Sequence, residues 1–355
     1  MALVNISQVR VGDRLSSDLL TERSNILFAR GTTISQRELD IMYAFLINKV
    51  DIVSQDGEAK QQEVESEINL ANVSDSQLSL YKAYDELLVL LKRVFRLAQS
   101  GGELPVLDIR NQVELLLRHI DTYNLLFFKP AKYFTRDYIY HHSVLVGMTS
   151  YVLAKWQGYQ QKDLIPIMLA GVMHDIGNAK LDQQLLSKTG PLTADEFNEV
   201  RSHTIYGYEI LKKVAAFNEG TKLVALQHHE REDGSGYPIG MSGDKLHPYS
   251  KIIAIADIYH AMSMNRVYRD AVSPYLVLEE LLQYSFGKLD PVIVRNFVDK
   301  VTQFHVGRLV KLSDNRIGEI VFTQREHPTR PWVNVNGTII NLTTQRNLYI
   351  LDVIE

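Results

Sequence analysis

A mainly α-helical fold, with small β-containing modules at both ends, is the class this sequence predicts. Three observations predict it. Residues 130–303 read as a continuous set of helices. After Phe304 the texture changes to short β-prone runs broken by turn residues. Before residue 57, strand-like runs and one capped helix are separated by polar turns. The chain has 355 residues, 45% hydrophobic and 23% charged, which is ordinary for a soluble globular protein and suggests roughly two or three domains.

In chain order, residues 1–57 form a small mixed module. "VRVG", "NILFA" and "KVDIV" read as strands, and Ser35 with Glu38 fits a capping box opening the helix "QRELDIMYAFLIN". Residues 58–129 form a helical linker or hairpin. After a polar stretch, apolar residues at 84, 87, 88, 91 and 95 mark one helix, stopped by "SGG". A second starts at Pro105, which suits a first helical turn, and carries Val106, Ile109, Val113, Leu116, Leu117 and Ile120 on one face. This pair reads as a spacer, or as a hairpin through which two copies of the chain would pair. Residues 130–303 form the main helical domain, where Thr193 and Glu196 announce another helix by capping-box spacing. Residues 304–355 hold five runs, "VGRLVKL", "RIGEIVF", "PWVNV", "TIINL" and "LYILDVI", separated by Asp-Asn, His-Pro and Asn-Gly turns; they suggest a small barrel or curled sheet.

Composition excludes several functions. Net charge is −4 with no long basic run, which argues against holding duplex DNA by its phosphates. There is no cysteine, so disulfides, thiolate metal sites and cysteine nucleophiles are ruled out, and any metal must be held by His, Asp or Glu. The N-terminal stretch lacks the pattern of a signal peptide, and no apolar run approaches about 18 residues. A cytoplasmic protein without a membrane span is the expectation.

The chemistry concentrates in the helical domain. His141, His142, His174, His203, His228 and His229 all fall there. His174–Asp175 closes the apolar run Leu164–Met173, and Asp257 lies inside the apolar run "KIIAIADIYHAM". A carboxylate buried without a partner is very costly. Both acids are therefore expected to face one cation site with the histidines. Neighbours on a helix point roughly 100° apart. The pairs His174–Asp175 and His228–His229 thus serve two adjacent ions more easily than one, with a short carboxylate bridging. Two such ions would clamp a phosphodiester and supply a hydroxide nucleophile. Ligation by His and Asp without sulfur suits Fe, Mn, Zn or Co. His119, His247, His305 and His327 read as ordinary polar or packed residues, and helix phase does not separate His141 from His142.

The motifs "HHSVLVG", "HDIG", "LSKTGPLTADEF…H", "HHEREDGSGYPIG", "IIAIADIYHAM" and "NRVYR", in this order, resemble the HD-GYP family, a branch of the HD superfamily of metal-dependent phosphohydrolases. The resemblance covers roughly residues 126–303. It implies a helical HD-type core with a di- or trinuclear metal centre that hydrolyses cyclic di-GMP to pGpG or GMP. Carried over by motif, the ligands would be His142, His174, Asp175, His203, His228, His229 and Asp257, with Asp175 bridging; two divalent ions, iron or manganese, are expected. The loop residues Gly234, Gly236, Tyr237 and Pro238 would shape the pocket for the cyclic dinucleotide. Arg266 and Arg269 match the family's phosphate-binding cations, and Lys251 is a further candidate for that job.

Three positions depart from the family pattern. Tyr138 stands where members with a third metal carry Glu, which points to two metals. Asn178 replaces the usual lysine after "HDIG", and Lys180 is no simple substitute because it faces roughly 200° away along a helix. His260 replaces a second aspartate in "ADIYHA". Asn178 and His260, with Asp175, are therefore the candidate catalytic positions, in a site expected to be slow. The alternatives are a degenerate domain that senses a cyclic dinucleotide, or a phosphodiesterase for another cyclic dinucleotide or a nucleotide phosphohydrolase.

Overall fold

The computed structural model describes residues 2–5, 13–17, 19–20, 26–34, 49–52, 74–188, 190, 192–265, 271–303 and 305–354. The chain divides into two compact units, Met1–Glu63 and Val64–Glu355. In the first, β1 (Ala2–Asn5), β2 (Leu19–Leu20), β3 (Ile26–Phe28) and β4 (Lys49–Ile52) make two antiparallel pairs, β1 with β4 and β2 with β3. "NILFA" and "KVDIV" thus hold β3 and β4. The "VRVG" run and the helix expected after Ser35 lie outside the described residues.

The second unit begins with α1 (Asp75–Ser100). Ser74 accepts from the Gln77 amide while the Gln77 side chain reaches back to the Ser74 N–H, so the first orphan donors are satisfied reciprocally. Gly101, at φ 76°, ends the helix in a left-handed cap. Leu80, Tyr84, Leu87, Leu91 and Phe95 form its buried stripe. The second helix of the pair, α2 (Val106–Leu117), starts after Pro105, and Ile120 falls beyond its end in a separate 3-10 turn. Next come α3 (Tyr138–Trp156) and α4 (Gln161–Met173), both largely buried. Their backbones touch: a Cβ on Gly171 would stand 2.7 Å from the Gly147 Cα. Only two glycines allow this approach, and it brings His142 on α3 beside His174 at the end of α4.

The layer over them contains α5 (Gln183–Leu186), α6 (Ala194–Arg201), α7 (His203–Lys212), α8 (Glu219–Gln227) and α9 (Pro248–Ser263), followed by α10 (Pro274–Tyr284) and α11 (Pro291–Thr302). The capping box expected at Thr193 and Glu196 opens α6. The five β-prone runs at the end become β5 (Leu309–Leu312), β6 (Ile317–Gln324), β7 (His327–Val335), β8 (Thr338–Asn341) and β9 (Ile350–Ile354). They form one antiparallel sheet in the order β8-β7-β6-β5-β9, with β8 and β9 as its edges. Asn336 and Gly337, both at positive φ, make the two-residue link between β7 and β8. The His-Pro pair does not make a turn. His327 already pairs with Gln324 and opens β7, and Pro328 and Pro331 sit where the β6–β7 register is irregular, so no ladder bond needs their missing N–H. Inward residues of the sheet, among them Val310, Leu312 and Ile320, join the same hydrophobic core as the helices.

Candidate metal centre

Seven side chains from five α-helices and one 3-10 turn converge on one buried point. His142 comes from α3, and His174 caps α4. Asp175 leads into the 3-10 turn Ile176–Lys180. His203 opens α7, His228 and His229 follow α8, and Asp257 lies within α9. Gly177 makes the approach possible, since a Cβ there would fall 1.8 Å from the His203 carbonyl oxygen. Two groups form, His142–His174–Asp175 and His203–His228–His229, each with its ligand atoms within 4.8 Å of one another. Asp175 spans them: Oδ2 is 3.5 Å from His174 Nε2, and Oδ1 is 3.3 Å from His203 Nε2 and 3.7 Å from His228 Nε2. Asp257 faces the other side, with Oδ1 3.0 Å from His142 Nε2 and 4.0 Å from His174 Nε2, and Oδ2 3.8 Å from His229 Nδ1.

The protonation pattern fits a cation. Nδ1 of His174 donates to the Gly171 carbonyl at 2.7 Å, Nδ1 of His203 to Val200 at 2.6 Å, and Nδ1 of His228 to Val224 at 3.0 Å. A carbonyl only accepts, so in each neutral ring the proton is on Nδ1 and Nε2 presents a lone pair. Nε2 of His203 and Nε2 of His228 then face each other at 3.3 Å, which only a proton or a metal ion between them relieves. Nε2 of His174 is buried with no hydrogen-bond partner. Burial first, then the neighbouring His174 and His203, pushes His228 down to about 3. Burial likewise lowers His142 and, well below the ordinary range, His229. Burial works to raise both acids, but the surrounding imidazoles outweigh it and hold Asp175 and Asp257 below the usual carboxylate range. Imidazole nitrogens and carboxylate oxygens facing one another are the donor set that a divalent metal takes.

The adjacent pair His141–His142 is split by the helix. His142 joins the cluster, whereas His141 packs inward, with Nδ1 2.8 Å from the Tyr84 hydroxyl of α1. The ring of Tyr138 stacks on His142 at 5.2 Å. The loop after His229 closes over the cluster. Gly234 turns at φ 75°, and Gly236 passes against the backbone of Glu230. The Tyr237 ring lies 4.6 Å from His229, and Pro238 follows it through a cis peptide bond.

Other expected site residues stand differently. Asn178 is buried, and its amide donates to the backbone carbonyl of Asp175 at 3.1 Å, so it braces the turn that carries the bridging acid. His260 is also buried, and its Nε2 is 2.7 Å from the Thr149 hydroxyl, a partner outside the cluster. The Lys251 ammonium is taken by Glu232 at 3.0 Å and Asp290 at 3.7 Å. Arg266 and Arg269 lie outside the described residues.

Two residues of the site carried no signal in the sequence reading. Glu230, only 2% exposed, accepts from the backbone N–H groups of Ile239, Gly240 and Met241 at 2.8–3.1 Å and thereby holds the loop. Arg201 places its guanidinium 4.5 Å from the Tyr237 ring and 5.1 Å from Phe197. Its place two residues before His203, four after an aromatic on the same helix, is the signal that could have found it.

The helical fold thus gathers histidines and aspartates from separate helices at one buried point. Residues 124–293 match the family model described as HD domain, and the chain carries an HD domain over that segment. It is 32% identical over 185 residues to a cyclic di-GMP phosphodiesterase of Pseudomonas aeruginosa, a match covering 52% of this chain and 44% of that protein. It is 34% identical over 131 residues to a 3'3'-cGAMP-specific phosphodiesterase of Vibrio cholerae, covering 37% of this chain and 28% of that one. The chain thus spans less than half the length of these relatives. In fold it is similar to a HDG"Y"P protein from Bdellovibrio bacteriovorus, with a TM-score of 0.50 at 15% identity over 84% of this chain and 99% of that chain. Among the described residues no helix is long and apolar enough to cross a membrane.

Proposed function

We propose that this chain is a metal-dependent phosphodiesterase that hydrolyses cyclic di-GMP, to pGpG, GMP or both, in the cytoplasm. The observation that carries the reading is the pair of His/Asp groups spanned by Asp175, with imidazole lone pairs already turned toward each other. His142, His174 and Asp257 would hold one divalent ion and His203, His228 and His229 the other, with Asp175 shared; iron or manganese suits this donor set. Two bound ions supply charge neutralisation for the phosphodiester and lower the pKa of a water. The chain's own residues do the rest. Asp175 and Asp257 keep the centre from accumulating positive charge. The Nδ1–H bonds of His174, His203 and His228 fix which nitrogen each ring presents. The Tyr237 ring, set on His229 and covered by the Arg201 guanidinium, ties the loop to the cluster. Arg266 and Arg269 are proposed to grip the phosphates.

The test is to load the protein with iron or manganese, verify the metal by elemental analysis, incubate it with cyclic di-GMP and resolve the products. Linear pGpG or GMP is expected. Metal-loaded protein that leaves cyclic di-GMP intact would sink the reading. A second reading has its own support: the amide of Asn178 and the imidazole of His260 are both engaged away from the centre, which suits a domain that binds a cyclic dinucleotide without cleaving it. Saturable binding of cyclic di-GMP without turnover would favour it. Turnover of 3'3'-cGAMP in its place would assign the other substrate.

A further inference from the structure

Apart from the metal centre, a cavity of about 280 Å³ opens between the Tyr123–Phe127 loop, α3, α11 and the segment leading into β5. Its walls carry two partly exposed aromatic rings, Phe127 and Trp156, with the fully buried Phe297 behind them. Lys300 and Arg308 stand at the rim, both exposed, with the Arg308 guanidinium 5.9 Å from the Phe127 ring. No carboxylate is among the described lining residues, whose charged side chains are Lys300 and Arg308. Its floor is polar. The Tyr123 hydroxyl is 2.8 Å from Thr149 Oγ1, which is in turn 2.7 Å from His260 Nε2.

Each wall selects part of a ligand. Aromatic faces stack on a flat heterocycle. Lysine and arginine without a competing carboxylate take an anion, and arginine suits a phosphate in particular. Two hydroxyls at the bottom can meet the polar edge of a base. The volume lies just under the roughly 300–1,000 Å³ of ordinary small-molecule sites, which leaves room for one nucleotide and not for a cyclic dinucleotide. We propose that this cavity is a second, non-catalytic site that binds a nucleoside monophosphate. His260 lies three residues beyond Asp257, on the same face of α9. An occupant resting on Thr149 therefore bears, through His260, on the helix that carries a residue of the metal centre. The binding itself stands on the cavity alone; its use as product feedback by GMP rests on the hydrolase reading above.

The chain contains two tryptophans, Trp156 and Trp332. In full-length Trp332→Phe, emission reports on Trp156 only. Titration with GMP is expected to give a saturable change in emission. The same change should persist when Asp175→Asn is added, because that substitution disables the metal centre and not the cavity. Guanosine, which lacks the phosphate, should bind about tenfold more weakly or worse, and so should GMP to the variant carrying both Lys300→Ala and Arg308→Ala. If Trp332→Phe does not fold, calorimetric titration of the unaltered chain and of its Asp175→Asn variant with GMP and guanosine makes the same decision. No saturable response to GMP, a response abolished by Asp175→Asn, or one indifferent to both rim cations would each overturn the proposal. A Trp156 response in a chain that does not cleave cyclic di-GMP supports this site and overturns only the hydrolase reading.

Discussion

Replacing Glu230 by glutamine should loosen the loop over the metal centre while leaving the helical core folded. In the parent, Oε1 accepts from Ile239 and Gly240, and Oε2 accepts from Gly240 and Met241. Glutamine has nearly the same shape but one acceptor oxygen. Its NH₂ would then face the N–H of either Ile239 or Met241, leaving that donor orphaned at a cost of about 1–3 kcal/mol. The remaining bonds lose their charge, each weakening by about 1 kcal/mol. The sum, about 3–5 kcal/mol, acts on the loop first, because Glu230 anchors this segment and not the bundle. Hydrogen exchange is the assay. Amides of Ile239, Gly240 and Met241 should exchange about a hundredfold faster or more, since about 1.4 kcal/mol is tenfold. KM for cyclic di-GMP should rise, because Tyr237 would lose its fixed place on His229. If these amides exchange at the parent rate in folded Glu230→Gln, the loop is held by something else and this account of it is wrong.

Three further outcomes are expected. His174→Ala or Asp175→Ala should remove most of the bound metal and all hydrolysis; elemental analysis that finds parental metal in both variants would exclude the proposed cage. Asn178→Lys should raise cyclic di-GMP turnover about tenfold by placing a cation near the phosphate. Steady-state rates no faster than the parent's, at equal metal content, would dismiss the missing cation as the limit. Burial, and then Arg308, lowers His305 from about 6.5 to about 4, so the unfolded chain takes up this proton first as pH falls. Stability is fully present above about pH 6.5 and is lost as pH falls toward about 4, by up to about 3 kcal/mol from this residue. Urea titrations of His305→Gln should show a shallower loss over that window, and an unchanged slope would assign the acid sensitivity elsewhere.

What the sequence made legible follows from the range of the forces involved. The capping box at Thr193 and the stripe at residues 84, 87, 88, 91 and 95 are local, so α1 and α6 stand close to where the pattern put them. The metal cluster was legible for a different reason: ionisable groups inside apolar runs need partners, and only a shared site supplies them. Glu230 was illegible because its partners are three backbone amides, which leave no side-chain signature. β1 was missed, although its partner β4 was read, because that partner lies some forty residues away in sequence, as the pairing of Asn5 with Lys49 shows, and β1 is too short to declare itself alone. The His-Pro pair misled because turn chemistry is common but not obligatory, and an irregular register lets a strand run through proline.

His260 shows how a departure from a motif can be absorbed by packing. By motif alone it reads as a lost aspartate, and so as a defect in the reacting shell. In the structure, burial pushes His260 down to about 3, which keeps the ring neutral near neutral pH and unable to act as a cation toward a phosphate. A neutral imidazole can still hold one hydrogen bond deep in the core, and it does so with Thr149, whose hydroxyl also meets Tyr123. An aspartate in its place would set a second carboxylate one helical turn from Asp257, where like charges repel and burial strengthens the repulsion. The histidine is therefore consistent with its surroundings, and Thr149 and Tyr123 are the residues that make it so. Position 260 accordingly belongs to the wall between the metal centre and the aromatic cavity, and any change there acts on both.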